Sequence, residues 1–121
     1  MNFDSHKPIY LQISDHICEK VIAGEYPEGE RIPSVREFSA LLGVNPNTVM
    51  RSFEYLKGVE VLFDKRGVGF FISSGAKERV IELYRELFFN EELPQIVKKM
   101  ILLQIDVKNL IERVEIESKK R

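Results

Sequence analysis

The sequence predicts a mainly α-helical chain with a small β-hairpin wing: a winged helix-turn-helix followed by a C-terminal helical dimerisation segment. Three observations lead there. Two capped helix starts flank a glycine turn between Arg31 and Leu56. Two short strand-like runs follow around Lys65, Arg66 and Gly67, and after Gly75 the composition shifts toward helix formers.

The first helix is expected from Pro8 to about Ala23, with Ile9, Ile13, Ile17 and Val21 recurring every fourth position as a core stripe. Gly24 to Glu30 is a turn-rich connection holding Pro27 and Gly29, and Arg31 with Ile32 is expected to form a short extended bridge toward the wing. Pro33 announces the second helix, where Ser34 and Glu37 have the spacing of a capping box. Gly43 ends it. Asn45 caps the third helix and Pro46 takes its first position, where a missing N–H costs nothing. Val49, Phe53 and Leu56 then form the inward face, leaving Asn47, Thr48, Arg51 and Tyr55 outward, and Gly58 closes the helix. Glu60 to Asp64 and Val68 to Ser73 read as two strands whose tip contains Gly67 and Gly69.

Beyond the hairpin, Val80, Leu83, Tyr84, Leu87 and Phe88 recur at helical spacing, and Ile96, Val97, Met100, Ile101 and Leu103 follow Pro94. Pro94 either starts a new helix or kinks a continuous one. Asp106 is placed to cap a last helix bearing Val107, Leu110, Ile111 and Val114. Residues 1–74 are thus expected to form the winged domain and residues 75–121 a helical segment too short to enclose its own core. Packing against a second copy through Val80, Leu83, Tyr84, Leu87, Phe88, Met100, Ile101 and Leu110 gives a two-fold homodimer. The alternative is that these helices fold back on the N-terminal domain of one monomer.

With 121 residues, 44% of them hydrophobic, the chain holds one modest domain plus an appendage. No apolar run reaches membrane-spanning length, and MNFDSHKPIY lacks a basic start and a hydrophobic signal core, so the expected location is cytoplasmic and no membrane partner is expected. Cys18, the single cysteine, has no partner for a disulfide or a metal site, and packing is its expected role, with redox sensing the alternative. His6 and His16 lie in no metal-ligand or nucleophile pattern, and KRGVGF lacks the spacing of a phosphate loop. Neither catalysis nor a cofactor is expected.

The chemistry that remains is recognition of double-stranded DNA. Asn47 and Thr48, at an exposed helix start, suit base edges or phosphates, and Arg51, one turn on, suits guanine. Ser34 and the amides near Val35 suit phosphate, while Lys65, Arg66 and Gly67 put charge and close backbone approach at the wing tip. The local alternatives are a helix-cap role for Ser34, a cap-region hydroxyl for Thr48 and pairing of Arg51 with Glu54 or Tyr55. Charge resists this reading. The formal net charge is −1, and residues 1–74 hold eight Lys/Arg against ten Asp/Glu, a net of −2. Arg31, Arg36, Arg51, Lys65 and Arg66 must therefore form a narrow basic strip, with Asp15, Glu19, Glu25 and Glu28 elsewhere. A winged module that binds protein rather than DNA is the competing reading.

Lys7 to about Ser74 resembles the GntR family of bacterial transcription regulators. The resemblance rests on PIYLQI, on the run from Gly24 to Glu37, on GVNPNTVMR from Gly43 to Arg51 and on KRGVGFF in the wing. The short C-terminal part looks most like the YtrA-type branch, which has a small helical dimerisation region in place of a large effector domain. The resemblance implies a transcriptional repressor and places Arg36 where family members use an arginine on DNA. Many members carry arginine at the position of Pro46 and another basic residue near Met50, so the operator sequence does not carry over. Phe70 stands where a small hydroxyl residue is common. No effector is identifiable; a small molecule would have to bind between domains or at the dimer interface, lined by Tyr84, Phe88, Phe89 and Met100.

Overall fold

The computed structural model describes residues 7–121. His6 lies outside them. Helix α1 spans Ile9–Ile22, with Pro8 as its N-cap, α2 spans Val35–Leu42, and α3 spans Pro46–Gly58. Strands β1 (Leu62–Lys65) and β2 (Gly69–Ile72) pair antiparallel with Leu62 opposite Ile72 and Lys65 opposite Gly69. Helices α4 (Ala76–Leu87), α5 (Leu93–Leu102) and α6 (Val107–Lys119) complete the chain.

Strand β1 starts two residues later than expected and ends one later, at Lys65; Glu60 has a left-handed conformation, φ 63°, which bends the chain before it, and β2 lacks the expected Val68 and Ser73 at its ends. The expected extended bridge is present. Arg31 pairs with Phe71, the Ile32 amide donates to the Phe70 carbonyl at 3.0 Å, and the Ile72 amide donates to the Glu30 carbonyl at 3.0 Å.

The packing divides into two units, the first ending at Leu83 and the second spanning Tyr84–Arg121. This division falls inside α4, beyond the change in composition at residue 74. Ala76 and Val80 are fully buried, and the Arg79 guanidinium donates to the carbonyls of Ser74 (2.7 Å) and Glu60 (3.3 Å), so the start of α4 belongs to the first unit. Val80 is therefore a core residue here and not a surface for a partner.

The core of the first unit forms around Ile13, Ile17, Val49, Phe53, Leu56 and Ile72. Phe53 on α3 sits at its centre. It meets Phe38 of α2 edge-on at 5.7 Å and Phe70 of β2 edge-on at 4.9 Å, and thereby ties both helices of the turn to the wing. Cys18 is buried in the same core. A polar bond crosses it: the hydroxyls of Ser14 (α1) and Ser52 (α3) lie 2.7 Å apart, both buried.

In the second unit, Pro94 stands in the first turn of α5, the helix start that was one of its two expected roles. A π-helical turn, Phe88–Glu92, precedes it, and the Leu93 amide donates to Phe88, five residues back. The wider turn makes room for the proline ring, which would crowd the carbonyl four residues earlier in a regular helix. Asp106 caps α6 as expected, its carboxylate accepting from the Asn109 amide at 2.8 Å.

Candidate nucleic-acid interface

The turn between α2 and α3 follows from three residues. Ser34 accepts from the Glu37 amide, and the Glu37 carboxylate accepts from the Ser34 amide, both at 3.1 Å, completing the capping box. That bonding holds the Glu37 carboxyl below the usual carboxylate range. Gly43 ends α2 in the left-handed conformation, φ 65°, which glycine adopts without a side-chain clash. Asn45 then caps α3, accepting from the Asn47 amide at 2.8 Å, with Pro46 in the first turn.

The two helix starts differ in what they leave for a ligand. At α3, Pro46 has no N–H, the Asn47 amide is held by the Asn45 side chain, and the Thr48 and Val49 amides go to the Asn45 carbonyl. Side chains alone remain to recognise anything there. At α2 the first-turn amides of Val35 and Arg36 have no acceptor within the helix, and the Ser34 hydroxyl, which accepts in the cap, keeps its hydrogen to donate. That end suits an anion.

On α3, Asn47 and Arg51 are exposed and Thr48 is half-buried. All three line one open pocket of about 390 Å³ with Pro8, Ile9 and Tyr10 from the start of α1. Arg51 pairs with neither Glu54 nor Tyr55: its guanidinium lies 4.1 Å over the ring of Tyr10. Tyr55, expected outward, turns instead toward α1, half-buried and edge-on to Tyr10 at 6.4 Å, and burial pushes its phenol pKa up. Arg36 is exposed on α2.

In the wing, the outer face carries a stacked pair, Phe63 and Phe71, 5.5 Å apart. The Lys65 ammonium lies 4.6 Å above Phe71. Arg66 and Gly67 form the exposed tip, closed by the Val68 amide donating to the Lys65 carbonyl at 2.9 Å. Gly69 has φ 141°, and a Cβ there would lie 2.7 Å from the Arg31 Nε, so glycine lets the Arg31 side chain rest on the hairpin. Phe70, the residue unlike the family pattern, is half-buried and packs edge-on against Phe53.

Three features went unread in the sequence: the Tyr10 ring beneath Arg51, the Arg79 brace and the serine pair between α1 and α3. A serine set between Ile13 and Ile17 in an otherwise apolar stripe is a signal for the last.

A capped helix pair joined by a glycine turn and followed by a basic antiparallel hairpin defines a winged helix-turn-helix, the architecture of a DNA-binding transcription regulator. Comparison with known proteins narrows the class. The family described as bacterial regulatory proteins, gntR family, matches residues 9–72. The HTH-type transcriptional regulator YhcF of Bacillus subtilis is 33% identical over 93% of this chain and 92% of its own length. The HTH-type transcriptional repressor YtrA of the same organism is 33% identical over 77% of this chain and 71% of its own. Among solved structures, a GntR-family regulator from Bacteroides thetaiotaomicron superposes with a TM-score of 0.77 at 43% identity, covering 93% of this chain and 99% of that one. The chain belongs to the GntR family, as a YtrA-like transcription regulator with a DNA-binding helix-turn-helix.

Proposed function

We propose that the chain is a homodimeric repressor that binds an inverted-repeat operator in the cytoplasm. The observation that carries the DNA half is the start of α3, where Asn47, Thr48 and Arg51 share one open pocket and no first-turn amide is left unbonded. Asn47, Thr48 and Arg51 read base edges in the major groove, Arg51 taking guanine. Ser34, Arg36 and the free amides of α2 hold the phosphates beside it. Lys65, Arg66 and Gly67 bring the wing tip to the backbone of the adjoining groove.

Dimerisation rests on exposure. No residue of 84–121 is buried, and Ile101 and Leu102 are 74% and 79% exposed. Leu83, Tyr84, Leu87, Phe88, Met100, Ile101 and Leu110 remain as the proposed contacts with a second copy, an isologous interface that sets two copies of α3 on successive half-sites. The name of the YtrA relative supports repression. A cytoplasmic location follows from chromosomal DNA as the partner.

Selection of genomic fragments by the purified protein at two salt concentrations tests the reading. An enriched inverted repeat, bound less at higher salt by a dimer in sedimentation, is the expected result. Arg36→Ala with Arg51→Ala should weaken that binding by about a hundredfold or more while the fold is kept, since a bidentate base contact and a phosphate contact are lost together. Unchanged binding by the folded double variant, or no enrichment at either salt by a folded dimer, overturns it.

A further inference from the structure

We propose that Tyr10 is a positioning residue for base recognition: an aromatic platform on α1 that holds the Arg51 guanidinium ready to read DNA. The inference rests on the reading of Arg51 as a base-contacting residue and extends it to a second helix. The guanidinium carbon lies 4.1 Å over the Tyr10 ring. A stacked guanidinium spends its face on the ring and keeps its N–H fork in its own plane, so the donors needed for a bidentate contact with guanine stay available. The stack fixes a long, flexible side chain without consuming those hydrogens.

The platform is itself fixed. Tyr55 meets the Tyr10 ring edge-on at 6.4 Å, from the turn of α3 that follows Arg51. The Tyr10 carbonyl accepts from the Ser14 hydroxyl at 2.8 Å, and Ser14 in turn is bonded to Ser52, the neighbour of Arg51. The ring thus lies between two turns of the recognition helix, and the backbone that carries it is tied to that helix through Ser14 and Ser52. Tyr10 also lines the open pocket shared by Asn47, Thr48 and Arg51, so the ring borders the space the base edge would enter. The Arg51 geometry is set from α1, outside the helix-turn-helix.

The test uses full-length protein and the duplex that the wild-type chain selects from a random pool, with an unselected duplex at low salt as the control. Tyr10→Phe, Tyr10→Leu, Arg51→Ala and the Tyr10→Leu/Arg51→Ala double variant are titrated by fluorescence anisotropy after thermal melts confirm that each folds. Tyr10→Phe should stay within about twofold of wild type, because the ring face is kept. Tyr10→Leu should lose about three- to tenfold on the selected duplex, the range a partly desolvated cation–π contact supports, and nothing on the unselected one. In the Arg51→Ala background the Tyr10→Leu loss should vanish. A loss that persists in that background, or that is equal on both duplexes, overturns the platform while leaving Arg51 as a base-contacting residue. Wild-type binding by Arg51→Ala overturns the Arg51 reading and the platform with it. Independently of DNA, the Arg51 Cδ protons should be shifted upfield by the ring in wild type and in Tyr10→Phe; a normal shift in wild type refutes the stack.

Discussion

Truncating Ser14 should cost more than truncating Ser52, although the two hydroxyls face each other in one buried pair. A serine hydroxyl has a single hydrogen. Ser14 gives its own to the Tyr10 carbonyl, 2.8 Å away, so the hydrogen between the two oxygens, 2.7 Å apart, must come from Ser52. Ser52→Ala therefore removes one bond and leaves Ser14 still donating. Ser14→Ala removes two and leaves the Ser52 donor facing a methyl group. At about 1 kcal/mol for each net hydrogen bond, Ser52→Ala should cost about 1 kcal/mol and Ser14→Ala about 2 kcal/mol. The gain in helix propensity on going to alanine, at most about 0.7 kcal/mol, applies to both sites and leaves the order unchanged. Urea titrations of both single variants and the double variant, followed by circular dichroism, measure the order and the coupling. The coupling should be about 1 kcal/mol, since the shared bond is counted in both single variants. Equal costs or a larger cost for Ser52→Ala would refute the assigned direction of the bond, and additivity would refute the bond itself.

Glu60→Gly should stabilise the first unit by about 0.5–1 kcal/mol, because the left-handed conformation costs an ordinary residue about 1–2 kcal/mol and glycine's extra unfolded-state freedom returns only part of that. The bonds at this position involve the Glu60 main chain, with its amide donating to Lys57 and its carbonyl accepting from Arg79, so the substitution leaves them intact, and a fall in the urea midpoint would contradict the prediction. His16 gives a pH dependence of definite sign. Desolvation first, and then the neighbouring Lys20, lower its pKa, with Glu19 and Glu25 opposing. The folded state therefore binds fewer protons at this residue than the unfolded chain, and its contribution to stability is complete above about pH 6.5, then lost as pH falls through the lowered folded value. The drop in urea midpoint between pH 7.5 and pH 5, values chosen to lie on either side of about 6.5, should be smaller in His16→Gln than in wild type.

The local signals in the sequence translated directly because each acts within a few residues. The capping box at Ser34 and Glu37, the left-handed Gly43, the Asn45 cap and the Asp106 cap are all set by bonds spanning at most five positions. What was not legible depends on residues far apart in the chain. Arg51 reads locally as a partner for Glu54 or Tyr55, yet it meets a ring contributed by α1. Val80 belongs to the apolar repeat of α4 and looks like part of a partner surface, but its burial is set by what the start of α4 packs on. Pro94 left two readings open; it stands in the first turn of α5, and the π-helical turn ahead of it has no signature in composition.

Three of the acids behind the acidic balance of residues 1–74 are engaged by a nearby cation or a helix cap and leave the proposed docking unopposed. Asp15 pairs with Lys7, Glu25 pairs with Lys20 at 2.7 Å, and Glu37 closes the α2 cap with Arg31 3.9 Å away. On α3 the exposed positions Asn47, Met50, Arg51, Glu54 and Lys57 fall at helical spacing along one face. That face is neutral through its first turn, basic at Arg51, acidic at Glu54 and basic again at Lys57. In the proposed docking α3 enters the groove by its N-terminal end, the end that carries Asn47, Thr48 and Arg51. With so sparse a charge on one copy, the proposed dimer would draw its affinity from two copies of α3 on successive half-sites.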